Sequence, residues 1–221
     1  MNEGPGFTIF LDANVLAKPV TRTLLMIAGD ASGYGTTWSA SVEDEANRHL
    51  RPGQTSVAEV RVRAGLHLSE PGADPERYSA TSVSDRQVLA DAVAAQAMFI
   101  VTEDVDDFGE PDLVSAGIAA VNPDLFLSVR VSTAGYAEAV GFLSRRSRTP
   151  HRTPDDFHRA LGRVHPMTVR AHQSAFPGTT PLPATHNQPG ELYRGNRCLI
   201  CLTAGMGVIL GLCEPCEANR N

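Results

Sequence analysis

The sequence predicts an α/β fold built on a mostly parallel sheet, and three observations carry that prediction. Short apolar runs recur at Phe7 to Leu11, Tyr34 to Trp38, Met98 to Val101 and Ile118 to Val121, at lengths that suit buried strands. Segments of helical periodicity lie between them, the pattern of β-α-β units with helices on both faces of the sheet. Acidic residues stand just past two of the runs: Asp12 after the first, and Asp104, Asp106 and Asp107 after the third. The rim at the carboxyl ends of parallel strands is where such folds place their chemistry.

Taken in order, Phe7 to Leu11 reads as a buried strand and Asp12-Ala13-Asn14 as the turn after it. Val15 to Ala28 reads as a helix, stopped by Gly29 to Gly33. Tyr34 to Trp38 is the second strand, with Trp38 in the core. Ser41 is read as the N-cap of a helix reaching Leu50. Pro52-Gly53 breaks it, and Thr55 to Ala64 is helical again. Ser69 to Ser84 holds Pro71, Gly72 and Pro75 and is loop. Ser84 is then expected to cap a helix from Asp85 to Ala97, with Val88, Leu89, Ala92 and Val93 on one face.

After the strand Met98 to Val101 come a short helix, Asp112 to Ala116, and the strand Ile118 to Val121. Four helices follow: Pro123 to Val131, Thr133 to Arg146, Thr153 to Gly162 and Pro166 to Phe176. Pro177 to Gly190, rich in Pro, Thr and Gly, reads as a linker. The expected organisation is a main α/β domain over 1–130, a helical extension over 131–176, a linker over 177–193 and a cysteine module over 194–221.

The chain has 221 residues, 42% hydrophobic and 20% charged, which suits a globular domain with an appendage. No apolar stretch approaches the roughly 20 residues of a membrane span, and the N-terminus lacks the pattern of a signal peptide. A cytoplasmic location and no membrane partner are therefore expected. The formal charge of −6 excludes a polycation. Basic charge is nonetheless concentrated between Arg145 and Arg170, where Arg145, Arg146, Arg148 and Arg152 lead a cationic stretch suited to phosphate contact. His158 and His165 in that stretch read as helix-surface residues.

Carboxylates gathered at one strand-end rim repel one another unless a cation neutralises them. Asp12, Glu45, Asp85, Asp104 and Asp107 form the candidate set, with Glu43 and Asp106 read as solvated neighbours. Oxygen ligands select Mg²⁺ or Mn²⁺, and such ions activate a water for phosphodiester hydrolysis. Taken one at a time, each residue also fits a helix cap or a turn. All four cysteines lie between residues 198 and 216, as Cys198-Leu-Ile-Cys201 and Cys213-Glu-Pro-Cys216. Paired C-x-x-C knuckles in a reducing compartment fit one tetrahedral Zn²⁺.

The segments "FLDANVLAKP", "WSASVEDEANRHL", "SDRQVLADAVAAQAMFIVTEDVDDF" and "GIAAVNPDLFL" together resemble the PIN-domain nucleases, particularly VapC-like toxin ribonucleases. The resemblance covers Phe7 to Leu127. It implies a Rossmann-like three-layer fold, Mg²⁺ or Mn²⁺ dependence, RNA as substrate, and in many relatives an antitoxin partner and a homodimer. Position by position, Asp12 matches the first acidic motif, Glu45 the second and Asp85 the third, with Asp104 and Asp107 in the last. Relatives often have a further aspartate and a histidine around the third motif, where this chain has Ser82 and Gln87, so that motif is thinner here.

The reading that results is a metal-dependent endoribonuclease carrying a zinc module. The alternative is a catalytically weak PIN scaffold that binds RNA or protein. A phosphate-accepting regulator domain also gathers aspartates at strand ends, but needs a lysine near the site after a later strand; the chain's single lysine is Lys18.

Overall fold

A computed structural model of the chain describes residues 6–147, 151–185, 191–204 and 211–218. Five strands form one sheet: β1 (Phe7–Leu11), β2 (Tyr34–Thr37), β3 (Phe99–Val101), β4 (Ala119–Val121) and β5 (Tyr193–Arg194). Their order is β2-β1-β3-β4-β5. The first four run parallel, with Phe7 opposite Tyr34, Leu11 opposite Val101 and Val101 opposite Val121. Ile9, Phe10 and Leu11 of β1, all of β3 and all of β4 are fully buried. Strands covered on both faces read as continuous apolar runs, which is why they stand out in the sequence.

The order places β2 on one side of β1 and β3 and β4 on the other. With the right-handed crossovers of parallel units, the β1–β2 connection covers one face and the later ones the opposite face. The direction of winding therefore reverses between β1 and β3. A crevice opens there at the carboxyl ends of the strands, where Asp12 and Asp104 emerge.

The helix expected from Val15 to Ala28 is two helices, α1 (Ala13–Leu16) and α2 (Pro19–Ser32). Pro19 has no N–H to continue a ladder, so it opens α2 in the first turn. α3 (Ala40–Arg48) begins one residue before the expected start. Ser39, not Ser41, holds its N-cap position, and the Ser41 hydroxyl instead bonds Ser39 at 3.0 Å and Asp91 at 3.3 Å. α4 (Val57–Ala64) is capped by Ser56. α5 (Arg86–Ala94) has Asp85 at its N-cap position, while the Ser84 hydroxyl donates to Asp85 at 2.8 Å. It ends short of Ala97 because Gln96 turns to a φ of 54°.

α6 (Glu110–Ala116), α7 (Pro123–Arg130) and α8 (Thr133–Arg146) lie close to their expected bounds. α9 (Pro154–Leu161) starts with a capping box of Thr153 and Asp156. The helix expected from Pro166 to Phe176 stops earlier, as α10 (Pro166–Ala171) and a single tight turn at Gln173–Ala175. α11 (Glu214–Ala218) ends the described chain.

His158 and His165 are not surface residues; with His172 they are buried. His158 Nδ1 meets the Tyr136 hydroxyl at 3.0 Å and stacks on Phe176, and His172 stacks on Tyr136 with ring centres 4.6 Å apart. Aromatic rings from α8, α9 and α10 thus serve as the core of the helical extension. Burial lowers the pKa of all three histidines, so the neutral ring is favoured.

Residues 177–185 run along α9. The Leu182 amide donates to Arg159 O at 2.9 Å and Thr185 to Arg163 O at 3.2 Å. The remainder of the expected linker, 186–190, lies outside the described residues. β5 then adds an antiparallel edge to β4. Its neighbour Gly195, at φ 126°, lies so close to β4 that a Cβ would stand 2.9 Å from the Ala119 α-carbon. Cys198, Leu199 and Leu212 are buried in the same core as the sheet. No helix among the described residues is long and apolar enough to cross a membrane.

Candidate metal and nucleic-acid site

Asp12 leaves β1 with its amide bonded to Val101 O of β3 at 3.1 Å, so both strands fix its backbone. One carboxylate oxygen accepts from the Ala13 amide at 2.6 Å and N-caps α1. The other accepts from the Thr102 hydroxyl at 2.7 Å and the Asn14 amide at 2.9 Å. The group is buried, at 6% exposure. Burial pushes its pKa up to about 6; the bonds from Thr102 and Ala13 oppose the shift, and the charges of Asp85 and Glu45 add to it. A carboxylate in this setting gains from a nearby cation.

Asn14 bridges the first and last acidic motifs. Its side-chain NH₂ also reaches Thr102 and Asp104, each at 3.0 Å, and its oxygen accepts from the Glu103 amide at 3.2 Å. Asp85 is half-buried at the start of α5 and accepts from Ser82 and Ser84. Glu45 is exposed on α3. Asp12, Glu45, Asp85 and Asp104 line one cleft of about 1220 Å³. Asp107 is exposed one short turn beyond. Desolvation and the charges of Asp85, Asp104 and Asp106 raise its pKa, with Arg194 opposing.

The five carboxylates thus share one region without closing on a point. Among the described residues, the four cysteines are the set of three or more candidate ligands whose donor atoms lie within 4.8 Å of one another. Glu43 departs from expectation, being buried rather than solvated. It accepts from Trp38 Nε1 at 2.9 Å and Arg61 Nε at 2.8 Å. Burial opposes its ionisation, but those two partners outweigh it and the pKa is lowered. Two residues of α3 therefore divide the work, Glu43 pointing to the core and Glu45 to the cleft.

Cationic groups face the acids across the cleft. Lys18, Arg51, Arg152 and Arg163 line it, and Lys18 is ion-paired with Glu103. Arg152 stands with its guanidinium carbon 5.7 Å from the Phe157 ring centre. Arg145 and Arg146 are exposed at the end of α8, away from the cleft lining, and Arg146 covers Phe142. Arg148 lies outside the described residues.

The cysteine cluster is closed and asymmetric. Cys201 Sγ and Cys213 Sγ lie 3.6 Å apart, too far for a disulfide, and all four cysteines are free thiols. Cys198 Sγ accepts backbone N–H bonds from Ile200 and Cys213. The Thr203 hydroxyl and amide draw the Cys201 thiol down to about 6, while Cys216, hydrogen-bonded to Cys213 and beside the others, is pushed up to about 12. Four cysteine sulfurs gathered this closely could hold a metal ion, which would stabilise their thiolate forms.

Asn14, Thr102 and Arg51 join the site without having been singled out in the sequence, and Lys18, read there only as the chain's single lysine, lines the cleft as well. Asn14 and Thr102 had a local signal, Thr102 as the polar residue directly after β3 and Asn14 in the first turn after β1. Arg51, past the end of α3, had none. Comparison with models of protein families, with curated proteins and with solved structures returned no match.

Proposed function

We propose that this chain is a divalent-metal-dependent endoribonuclease of the PIN type, and that its four-cysteine cluster holds one Zn²⁺. The observation that carries the nuclease reading is Asp12: a buried carboxylate raised to about 6, at the switch point of a parallel sheet, with Glu45, Asp85 and Asp104 around the same cleft. Its donors are hard oxygens, which suit Mg²⁺ or Mn²⁺. The spacing of the carboxylates suits an ion that keeps part of its water shell, as Mg²⁺ does. When bound, such an ion supplies Lewis acidity and a stronger nucleophile at neutral pH.

The chain's own residues do the positioning. Thr102, Asn14 and the Ala13 amide hold the Asp12 carboxylate in one orientation, and Asn14 sets Asp104 beside it. Arg51, Arg152 and Arg163 offer planar donors to backbone phosphates along the cleft wall. Asp107 enters the reading through its charge on the turn after β3. An antitoxin and a homodimer are carried by the resemblance to VapC-like toxins alone.

Zinc is favoured at the cysteines because thiolates are soft ligands. A tetrahedron with Zn–S bonds of about 2.3 Å puts sulfurs about 3.8 Å apart, close to the 3.6 Å between Cys201 and Cys213.

A second reading, a weakly catalytic PIN scaffold that binds RNA, draws on the thin third motif. Gln87 bonds Asp91 and Gly72 O instead of facing the cleft, and Ser82 supports Asp85 instead of adding a carboxylate. Incubating purified protein with total RNA, with Mg²⁺, Mn²⁺ or EDTA, separates the two. Cleavage that needs either ion and is lost in Asp12→Asn supports the nuclease. RNA binding without cleavage under either ion supports the scaffold.

A further inference from the structure

One side chain ties the cysteine cluster to the acidic turn. Arg194 in β5 donates from Nη1 to Asp106 O at 3.0 Å and to Phe108 O at 2.9 Å. These carbonyls flank Asp107, whose own carbonyl accepts from the Ser82 amide at 2.8 Å. Glu191 accepts from Arg194 Nε at 2.9 Å and steadies the guanidinium. Inside the turn, only short-range bonds act: Asp107 N to Asp104 O at 3.1 Å and Phe108 N to Val105 O at 3.3 Å. Its shape therefore draws on donors brought from outside: Asn14 on the Asp104 carboxylate, Ser82 on the Asp107 carbonyl, and Arg194 on two further carbonyls.

Glu191 and the Asn122 amide bond to Leu192 O hold the chain before Arg194, and a larger set of bonds holds it on the C-terminal side. β5 pairs with β4 through just two residues, Tyr193 and Arg194, too short a ladder to persist alone. Next in the chain, Arg197 donates to Gly117 O at 3.0 and 2.6 Å and to Leu202 O at 2.7 Å. The Arg197 amide donates to the Tyr193 hydroxyl at 2.8 Å. The Cys198 amide bonds Thr203 O and the Leu199 amide bonds Gly211 O, so the strand runs straight into the cysteine knuckles. A module this small draws its order from bound metal.

We propose that Arg194 is a positioning residue through which metal occupancy of the four-cysteine site holds the Asp104–Phe108 turn, and with it Asp104 and Asp107, at the rim of the cleft. This rests on the zinc and nuclease readings above. The cysteine module then acts on the acidic site mechanically, with no ligand of its own there. Arg serves better than Lys because its planar fork gives Nη1 to the two carbonyls while Nε and Nη2 face Glu191.

The test is amide hydrogen exchange on the zinc-loaded full chain, resolved at Asp107 and Phe108, with Asp12, directly after β1, as internal control. Arg194→Ala is expected to speed exchange at both turn amides at least tenfold, leaving Asp12 unchanged and one zinc per chain. Arg194→Lys is expected to restore part of the protection. Removing zinc from the wild-type chain with a chelator is expected to give the same local loss without any substitution. Unchanged exchange at Asp107 and Phe108 after zinc removal overturns the proposal.

Mn²⁺ affinity, read by electron paramagnetic resonance, is the second arm. It is expected to fall about five- to twentyfold in Arg194→Ala, within the usual range of coupling between sites. Faster turn exchange with unchanged Mn²⁺ affinity overturns the positioning role. A wild-type chain that binds no Mn²⁺ counts against the nuclease reading, whereas exchange alone decides whether the cysteine site holds the turn.

Discussion

Two glutamates one residue apart on either side of Asp44 show how little residue type says about role. Glu43 pairs with Arg61 and Trp38 in the core, and Glu45 faces the cleft. Glu43→Leu leaves Arg61 and the indole N–H without their acceptor and is expected to cost about 2–3 kcal/mol, read as a lowered denaturation midpoint. Glu45→Gln is expected to leave that midpoint within about 0.5 kcal/mol and to weaken Mn²⁺ binding instead. The reverse pattern would exchange the two roles.

Titration at single residues also has a definite sign. The three buried histidines have lowered pKa values, so the unfolded chain takes up protons below about pH 6.5 that the folded chain resists. Their contribution to stability is present above that pH and is lost as pH falls. Asp12 runs the other way: its folded pKa of about 6 exceeds the ordinary aspartate value of 3.8, so its contribution declines as pH rises through that window. Metal-free protein is therefore expected to gain stability from pH 5 to pH 7 in urea titrations, and more steeply in Asp12→Asn. A shallower rise in that variant contradicts the assignment of Asp12.

At the scale of elements, strands and most helices were legible because burial writes continuous apolar runs and caps write polar punctuation. The four parallel strands and α8 fall close to where periodicity puts them. Boundaries failed where a single backbone event decided them. Pro19 splits one apparent helix into two, and Gln96 turns the end of α5. His158 and His165 were misread because long-range partners bury them, Tyr136 and Phe176 around His158 and the Thr21 hydroxyl at His165, which no local pattern reveals. β5 was invisible for a similar reason: two residues pair with β4 only because Gly195 permits the approach.

The cysteine module gives the element-scale prediction. Cys213→Ser is expected to reduce zinc from one per chain to none by elemental analysis after dialysis, since three soft ligands and a hydroxyl make a poor structural site. It is also expected to speed exchange at the Asn122 amide, which bonds Leu192 O beside β5. Retained zinc would remove Cys213 from the ligand set.

At the scale of the whole molecule, the order β2-β1-β3-β4 does what no single motif does: it brings residues 12 and 104 to one crevice. Asp12, Asp85 and Asp104 were legible in the sequence because each follows a strand or opens a helix, whereas Glu45, midway along α3, was picked out by the motif resemblance. The cationic wall was legible only in part. Arg152 and Arg163 of the Arg145–Arg170 stretch line the cleft, but Arg145 and Arg146 lie outside it, and Arg51 arrives by tertiary packing. Arg152→Ala with Arg163→Ala is expected to weaken binding of single-stranded RNA broadly and to reduce the salt slope by about 1.4, at about 0.7 per phosphate contact. An unchanged slope moves the RNA path away from this wall.

The central claim is that Asp12 anchors a metal-dependent nuclease site, and cleavage of a total RNA pool by the Asp12→Asn chain tests it most directly. Wild-type protein is expected to cut RNA with Mg²⁺ or Mn²⁺ and to stop with EDTA. Asp12→Asn, folded and still zinc-loaded, is expected to be slower by at least about a hundredfold, roughly 2.7 kcal/mol of transition-state stabilisation. EDTA-sensitive cleavage at the wild-type rate in Asp12→Asn would contradict the account.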